Sequence, residues 1–510
     1  MGPVDELYDF IVVGAGTAGC IIGARLSEDA GARVLVIEAG SADLPAAVRV
    51  PSAWPSLQGT SADWGGQTVV QASTGTAIPW ARGRGLGGSS AINALAFVRG
   101  HRDSYDAWKS AGAADWGFDD LLPFFKRSER AAGRDPQLRG LDGPLSVAPA
   151  AAPSPISEDF LATVADSGYP RALDISSGAE EGFGLVDLNI VAGQRQSAYD
   201  AYLGPAAGRP NLDIVTDALV GRLLFDGNRC TGVEYSRGGS LHAARCSREV
   251  VLTAGAVGSP QLLMLSGIGR ASHLRDKGLE VIVDLPGVGE NLFDHPASGV
   301  IYRSSRPVPA TADPADSHGE VIGITQVSPG TAGPDVQFVP LDVPIKAEGV
   351  PSPAIGEGYT IMASLMLPRS RGSIRLASTD PGKDPLIDPN FYGDPADLDT
   401  LTGGLRIARE IGLAAGLGRW RGEEVQPGAG QQDDKTLRAY LKKNVRTYHH
   451  PAGTCRIGTD EDAVVDGELR VRGVTGLRVA DASVMPSPVS ANTNATVCAI
   501  AERAACLLKR

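Results

Sequence analysis

Cysteine is scarce in this chain. Six residues, at 20, 230, 246, 455, 498 and 506, are spread over 510 positions, too few and too scattered for a disulfide framework or a thiolate zinc site. Reduced thiols and a cytoplasmic setting are the expectation. Basic charge is also short: 47 Lys and Arg face 59 Asp and Glu, a net charge of -12, and such a surface is repelled by nucleic acid and by anionic membranes. No nucleic-acid partner is expected. No apolar run approaches the roughly 20 residues of a membrane helix, and residues 1–8 carry no basic segment of the kind that opens a signal peptide. The expectation is therefore no membrane partner and no leader. Aromatic residues make up 5%, which gives little support to an aromatic cage around a quaternary ammonium. Neither a Gly-x-Ser-x-Gly elbow nor a His-Glu-x-x-His pair occurs, so a serine hydrolase or zinc protease has no motif to rest on. What is present is an ordinary globular composition, 43% hydrophobic over 510 residues, enough for a large core and two or more domains. Oligomeric state has no signal in it.

The first positive signal is local. The β-rich run Asp9–Val13 enters Gly14-Ala15-Gly16-Thr17-Ala18-Gly19, an amphipathic segment follows over Cys20–Ser27, and a second apolar run, Arg33–Ile37, ends at Glu38. This order predicts strand, turn, helix and strand. The first glycine allows the tight turn, the second lets backbone approach a pyrophosphate, and the third permits close packing of helix on strand. Phosphates favour the helix N-terminus, where free N–H groups and the dipole attract anions, so Thr17 and Ala18 join the expected contacts. Glu38, with Ala39 beside it, is placed to accept from ribose hydroxyls. We find no second strand–glycine–helix unit elsewhere, which leaves one obvious dinucleotide site. A flavin enzyme that passes electrons to a small acceptor needs one dinucleotide site, whereas a reductase fed by nicotinamide needs two. The count favours FAD.

Two further blocks are rich in glycine and serine. Gly83-Arg84-Gly85-Leu86-Gly87-Gly88-Ser89-Ser90-Ala91-Ile92-Asn93 continues through Phe97, Arg99 and Gly100 to Asp106, crowding donors into a small space suited to a phosphate or a flat ring. The second block, Gly255 to Gly269, follows the apolar run Val250-Val251-Leu252 and predicts another strand-to-helix turn, with a structural role for most of its residues. Together these blocks resemble the glucose–methanol–choline (GMC) family of FAD-dependent oxidoreductases. Gly287 to Pro296, Pro368 to Gly372 and His450 to Asn494 are similar to further pieces of that family, so the resemblance spans nearly the whole chain and is weakest over 302–359. It implies an α/β fold: a Rossmann-like FAD-binding domain from residues 1–150, 195–300 and 445–510, and an α+β substrate domain with a mainly antiparallel sheet from 151–194 and 301–444.

The resemblance also implies contacts. It sets the pyrophosphate against Gly14, Gly16 and Gly19 and the ribose on Glu38. Arg84, Gly87, Gly88, Ser89, Asn93 and Ala94 would line the flavin side, Val220 the adenine, and Asp481 and Ala482 the ribityl and phosphate groups. Thr493 and Asn494 would open a helix aimed at the pyrimidine end of the ring. Ala91 is set where some relatives carry a histidine bonded to the flavin, which implies non-covalent FAD. The implied chemistry is oxidation of a primary or secondary alcohol, with hydride passing to flavin N5 and reoxidation by O2 or another acceptor. A neutral imidazole can take the hydroxyl proton near neutral pH, and His450 is the expected base. Asn492, an amide, can only orient the substrate oxygen. His449 is expected to be structural and His295 either structural or a support behind the site, and neighbouring histidines point apart without a carboxylate or thiol shell, so no metal is expected. Glu320 is expected to be a solvated carboxylate. On the same fold, a dehydrogenase feeding a quinone, a hydroxynitrile lyase and a light-driven fatty acid decarboxylase are the rival readings.

Overall fold

The computed structural model describes residues 7–309, 315, 317–331, 333–345 and 351–510; the expectation about the start of the chain rests largely on residues outside this set. β1 (Leu7–Val13) is buried along most of its length, and Gly14, at φ +101°, turns the chain into helix α1 (Thr17–Leu26). β2 (Val34–Ile37) returns parallel to β1, pairing Phe10 with Val34 and Val13 with Ile37. The strand Leu212–Val215 adds beyond β2, and the C-terminal half of Ser240–Leu252 adds on the other side of β1. Leu477–Val479 closes this parallel layer. Such near-continuous apolar runs suit strands buried on both faces. The N-terminal half of Ser240–Leu252 leaves the layer and pairs antiparallel in a meander with Ala218–Asp226 and Arg229–Arg237.

The second sheet runs Arg421–Gln426, Pro296–Ser304, Gly358–Leu365, Val336–Leu341, Val321–Thr325 and Gly182–Leu185, all antiparallel. Helix Pro395–Leu413 packs on it. This is the α/β plus antiparallel architecture expected, with two boundaries moved. Residue 300 falls inside the strand Pro296–Ser304, which belongs wholly to the second sheet, and Arg446–Thr447, expected in the FAD-binding part, pairs with that same strand. The cause is hydrogen bonding: the ladder from Ala297 to Arg303 is continuous against Gly358–Ser364 and cannot be cut at residue 300. His449 and His450 thus follow directly from a strand of the second sheet. Among the described residues no helix is long and apolar enough to cross a membrane.

Candidate active site

A cavity of about 390 Å³ is lined by residues of both sheets, within the range of ligand sites. One end is built by the turn after β1. Gly14, Gly16, Thr17, Ala18, Glu38 and Ala39 line it, with Gly88, Ser89, Asn93, Ala94, Val220, Asp481, Ala482, Thr493 and Asn494. Two helices start on this wall, α1 and the C-terminal helix Asn494–Leu508. Neither has a side-chain cap or an acid in its first turn, so their first N–H groups need acceptors from elsewhere. Thr17 Oγ1 lies 3.1 Å from Asn494 Oδ1 and ties the two starts together. Behind them, buried Glu502 accepts from Arg25 (2.7 Å), Arg127 (3.0 Å) and Tyr202 (2.9 Å), locking the helices side by side.

A methyl group on Gly16 would meet nothing nearer than 4.0 Å, whereas one on Gly88 would stand 2.6 Å from Gly16 Cα. The glycine loops therefore touch each other and leave a groove in front. Glu38 accepts from Ala15 N (2.7 Å), Gly40 N (2.8 Å) and Gly85 N (3.1 Å). Burial pushes its carboxyl up and these backbone donors oppose the shift. One oxygen, Oε2, carries a single protein donor and retains a lone pair for a ribose hydroxyl. Asp481 is different. Its oxygens accept from Gly255 N, Ser259 Oγ, and Ser483 N and Oγ at 2.5–2.8 Å, so it positions the Gly255 turn and has little capacity left for a ligand. Donors at two helix starts, a glycine groove and an acid beside it suit FAD.

Three expected contacts are off this wall. Gly19 faces the protein, because a methyl there would overlap the Gly14 carbonyl oxygen and stand 2.8 Å from Thr253 Oγ1; its job is packing. The Arg84 guanidinium lies over the Trp64 ring at 4.9 Å, and Gly87, at φ +91°, donates to Ala15 O and backs onto Ser197. Ala91 turns into a small apolar cluster with Val48, Leu57 and Ala62 and is off the cavity wall, whereas its neighbour Ile92 is on it. The second glycine block is more involved than expected, since Gly255, Ala256, Val257, Gly258, Gln261, Leu262 and Leu265 line the cavity. Its resemblance to the turn after β1 was the signal. Arg99, at the end of the first block, is buried on Glu129 at 2.5 Å.

At the other end the second sheet supplies Ile322, Val339, Leu341 and Met362, joined by Trp54, Ile345 and Gly319. The Trp54 indole N–H is spent on Ser317 O at 2.9 Å, which leaves its ring as apolar wall. Glu320 is not solvated: it is buried and accepts from Ser154 N at 2.6 Å.

His450 and Asn492 stand on this wall together, Asn492 Nδ2 being 3.3 Å from His450 Nε2. Asn492 Oδ1 is buried with no partner, a vacancy that a ligand hydroxyl can fill. Burial, then the neighbouring His295 and His449 rings, hold the His450 imidazole well below its ordinary pKa of 6.5, so the ring is neutral. Tyr448 lies edge-on to it at 4.6 Å and is anchored through its hydroxyl on Gln337 at 2.8 Å. Asp294 accepts the backbone N–H groups of His450 and His295, each at 2.8 Å, and the Thr447 hydroxyl. Desolvation raises this carboxyl to about 7 against those donors. His449 also lines the cavity, at φ +63°, with burial and then Arg446 lowering it to about 4. Among the described residues no His, Cys, Asp and Glu group has metal-holding geometry.

A parallel layer with an uncapped dinucleotide turn, covered by an antiparallel sheet that brings a neutral histidine to the shared cavity, defines a flavin-dependent oxidoreductase. Models of the GMC oxidoreductase family match residues 8–297 and 368–501. Over 98% of this chain and 90% of its own length, human mitochondrial choline dehydrogenase is 38% identical; an oxygen-dependent choline dehydrogenase of Rhizobium etli is 37% identical over 98% and 94%. The crystal structure of pyridoxine 4-oxidase from Mesorbium loti superposes with a TM-score of 0.94, at 37% identity and 98% coverage of both chains. The chain belongs to the GMC oxidoreductase family. It is an FAD-dependent oxidoreductase acting on CH–OH groups.

Proposed function

We propose that this enzyme oxidises a primary or secondary alcohol with an apolar body to the aldehyde or ketone, with His450 as base and dioxygen as acceptor. The observation that carries the reading is the pair His450 Nε2 and Asn492 Nδ2, 3.3 Å apart on the cavity wall. An alcohol oxygen entering between them donates its O–H to Nε2 and accepts from Nδ2, exchanging one hydrogen bond for two. His450 takes the hydroxyl proton as the C=O bond forms. Bound FAD supplies the acceptor for the hydride that leaves carbon. His450 then holds a proton at Nε2 that the final acceptor can use, giving hydrogen peroxide when that acceptor is dioxygen. The aliphatic side chains of Ile322, Val339, Leu341 and Met362 support an apolar substrate body, and relatives named for choline and pyridoxine support an alcohol. Ile92, a hydrocarbon facing the cavity, supports non-covalent FAD; acid precipitation should leave the yellow colour in the supernatant, and colour retained in the pellet would contradict this.

The test is a panel of alcohols offered to the holoenzyme with oxygen uptake and peroxide followed. Uptake matched by carbonyl product supports the oxidase. Flavin bleaching without air and no uptake in air assigns the electrons to a quinone-like acceptor instead.

A further inference from the structure

His295 is wholly buried beside His450, although 155 residues separate them in sequence. Their Nδ1 atoms are 2.9 Å apart, with the rings at 79°. At that distance one Nδ1 carries a hydrogen and the other a lone pair, because two hydrogens would clash and two lone pairs would repel. Asn492 decides which. Its Nδ2 donates to His450 Nε2, so Nε2 is the lone pair and the hydrogen of a neutral His450 ring sits on Nδ1. His295 Nδ1 is then the acceptor, and its own hydrogen sits on Nε2. That nitrogen makes no regular hydrogen bond; the Met366 carbonyl acts on the ring as an acceptor. Asp294 holds the backbone N–H of both residues, which fixes the spacing of the rings.

We infer that His295 is a positioning residue: by accepting the Nδ1 hydrogen it holds His450 in the tautomer whose Nε2 lone pair faces the alcohol. The inference rests on His450 being the base. In the opposite tautomer the hydrogen would sit on Nε2, and the ring would offer the substrate a donor where an acceptor is required. Once His450 has taken the proton both its nitrogens carry hydrogen, and Nδ1–H keeps the same acceptor. The orientation of the ring therefore survives the proton transfer.

Anaerobic reduction of the holoenzyme by a saturating alcohol tests this, together with 15N NMR of the histidine rings. In the unmodified enzyme, the His450 signals, assigned by their loss in His450→Gln, should show a protonated Nδ1 and an unprotonated Nε2. His295→Phe, which keeps a ring and removes the acceptor, should lower the reduction rate at least about tenfold, since a wrongly held tautomer can cost up to about 10⁴-fold. KM should change little, and His295→Asn, which restores an acceptor oxygen, should recover part of the rate. A wild-type Nε2–H tautomer, or reduction of the phenylalanine variant within about twofold of wild type, overturns the inference. Equal loss in the Phe and Asn variants does so too. A His450→Ala enzyme that reduces normally would instead sink the base on which the inference rests.

Discussion

A base is useful only while it is unprotonated, and burial favours that state for His450, the proposed base. Replacing it by Ala should lower kcat by about 10²- to 10⁴-fold, the usual worth of a positioned base, with FAD still bound. Asn492→Leu should cost less, up to about 100-fold, because it removes orientation and leaves the base; steady-state kinetics separates the two. Burial also sets a pH dependence of stability. His295 is lowered to about 3 and His449 to about 4, so between about pH 4 and 6.5 the unfolded chain binds protons that the folded one refuses, and stability falls as pH drops. Asp294, raised to about 7, acts oppositely, losing stability as pH rises from about 3.8, and the buried carboxyls of Glu38, Glu320 and Asp481, also raised, act with it. The histidine share is read by difference: removing one such ring in His449→Gln should raise the urea midpoint of FAD-saturated enzyme at pH 5 relative to that at pH 7, compared with wild type, and an unchanged difference between the two pH values would contradict this. At this scale the sequence was readable where residues are neighbours. His450 stands in a recognisable run, whereas the role of His295 depends on a strand-to-loop contact that no local pattern reveals, and Ala91 and Ile92 could be told apart only by which faces the cavity.

Two helix starts and the glycine turns before them shape the cofactor end. Gly19→Ala would push a methyl group into the Gly14 carbonyl and should cost at least about 1–3 kcal/mol, the range for overpacking, with FAD affinity lost alongside. Equilibrium unfolding and flavin content would show both effects. Glu502 makes a second prediction for the same pair of helices. Glu502→Leu takes one of its two carboxylate partners from Arg25, which keeps Glu28 at 2.8 Å, and the loss expected for breaking a buried ion pair is about 3–5 kcal/mol, nearer the lower figure because of Glu28 and because the Arg127 side chain is 37% exposed. The turn after β1 was legible because glycine spacing, a β-rich run and a terminal acid each have a local physical cause. The Gly255 turn was only half legible. Its strand-to-helix form follows from its residues, but its place on the cavity depends on Asp481, 226 residues away.

The two sheets meet over one cavity, and the cofactor end belongs to one sheet while the apolar end belongs to the other. FAD bound across that junction should stabilise the whole molecule by mass action, about 2.7 kcal/mol at a hundredfold excess over Kd; thermal unfolding of stripped and reloaded enzyme measures it. The architecture was legible from blocks spread along the chain, but the boundaries were not, since the pairing of Pro296–Ser304 with both Gly358–Leu365 and Arg446–Thr447 is set by partners distant in sequence. The same pairing carries His450 to the cavity. The most direct test of the central claim is rapid anaerobic mixing of wild-type and His450→Ala holoenzymes with an alcohol panel, following the oxidised flavin band and the carbonyl product. The account predicts bleaching of the wild type with stoichiometric carbonyl and bleaching at least about 100-fold slower in the variant. Equal bleaching of both proteins, or product formed while the wild-type colour persists, would contradict it.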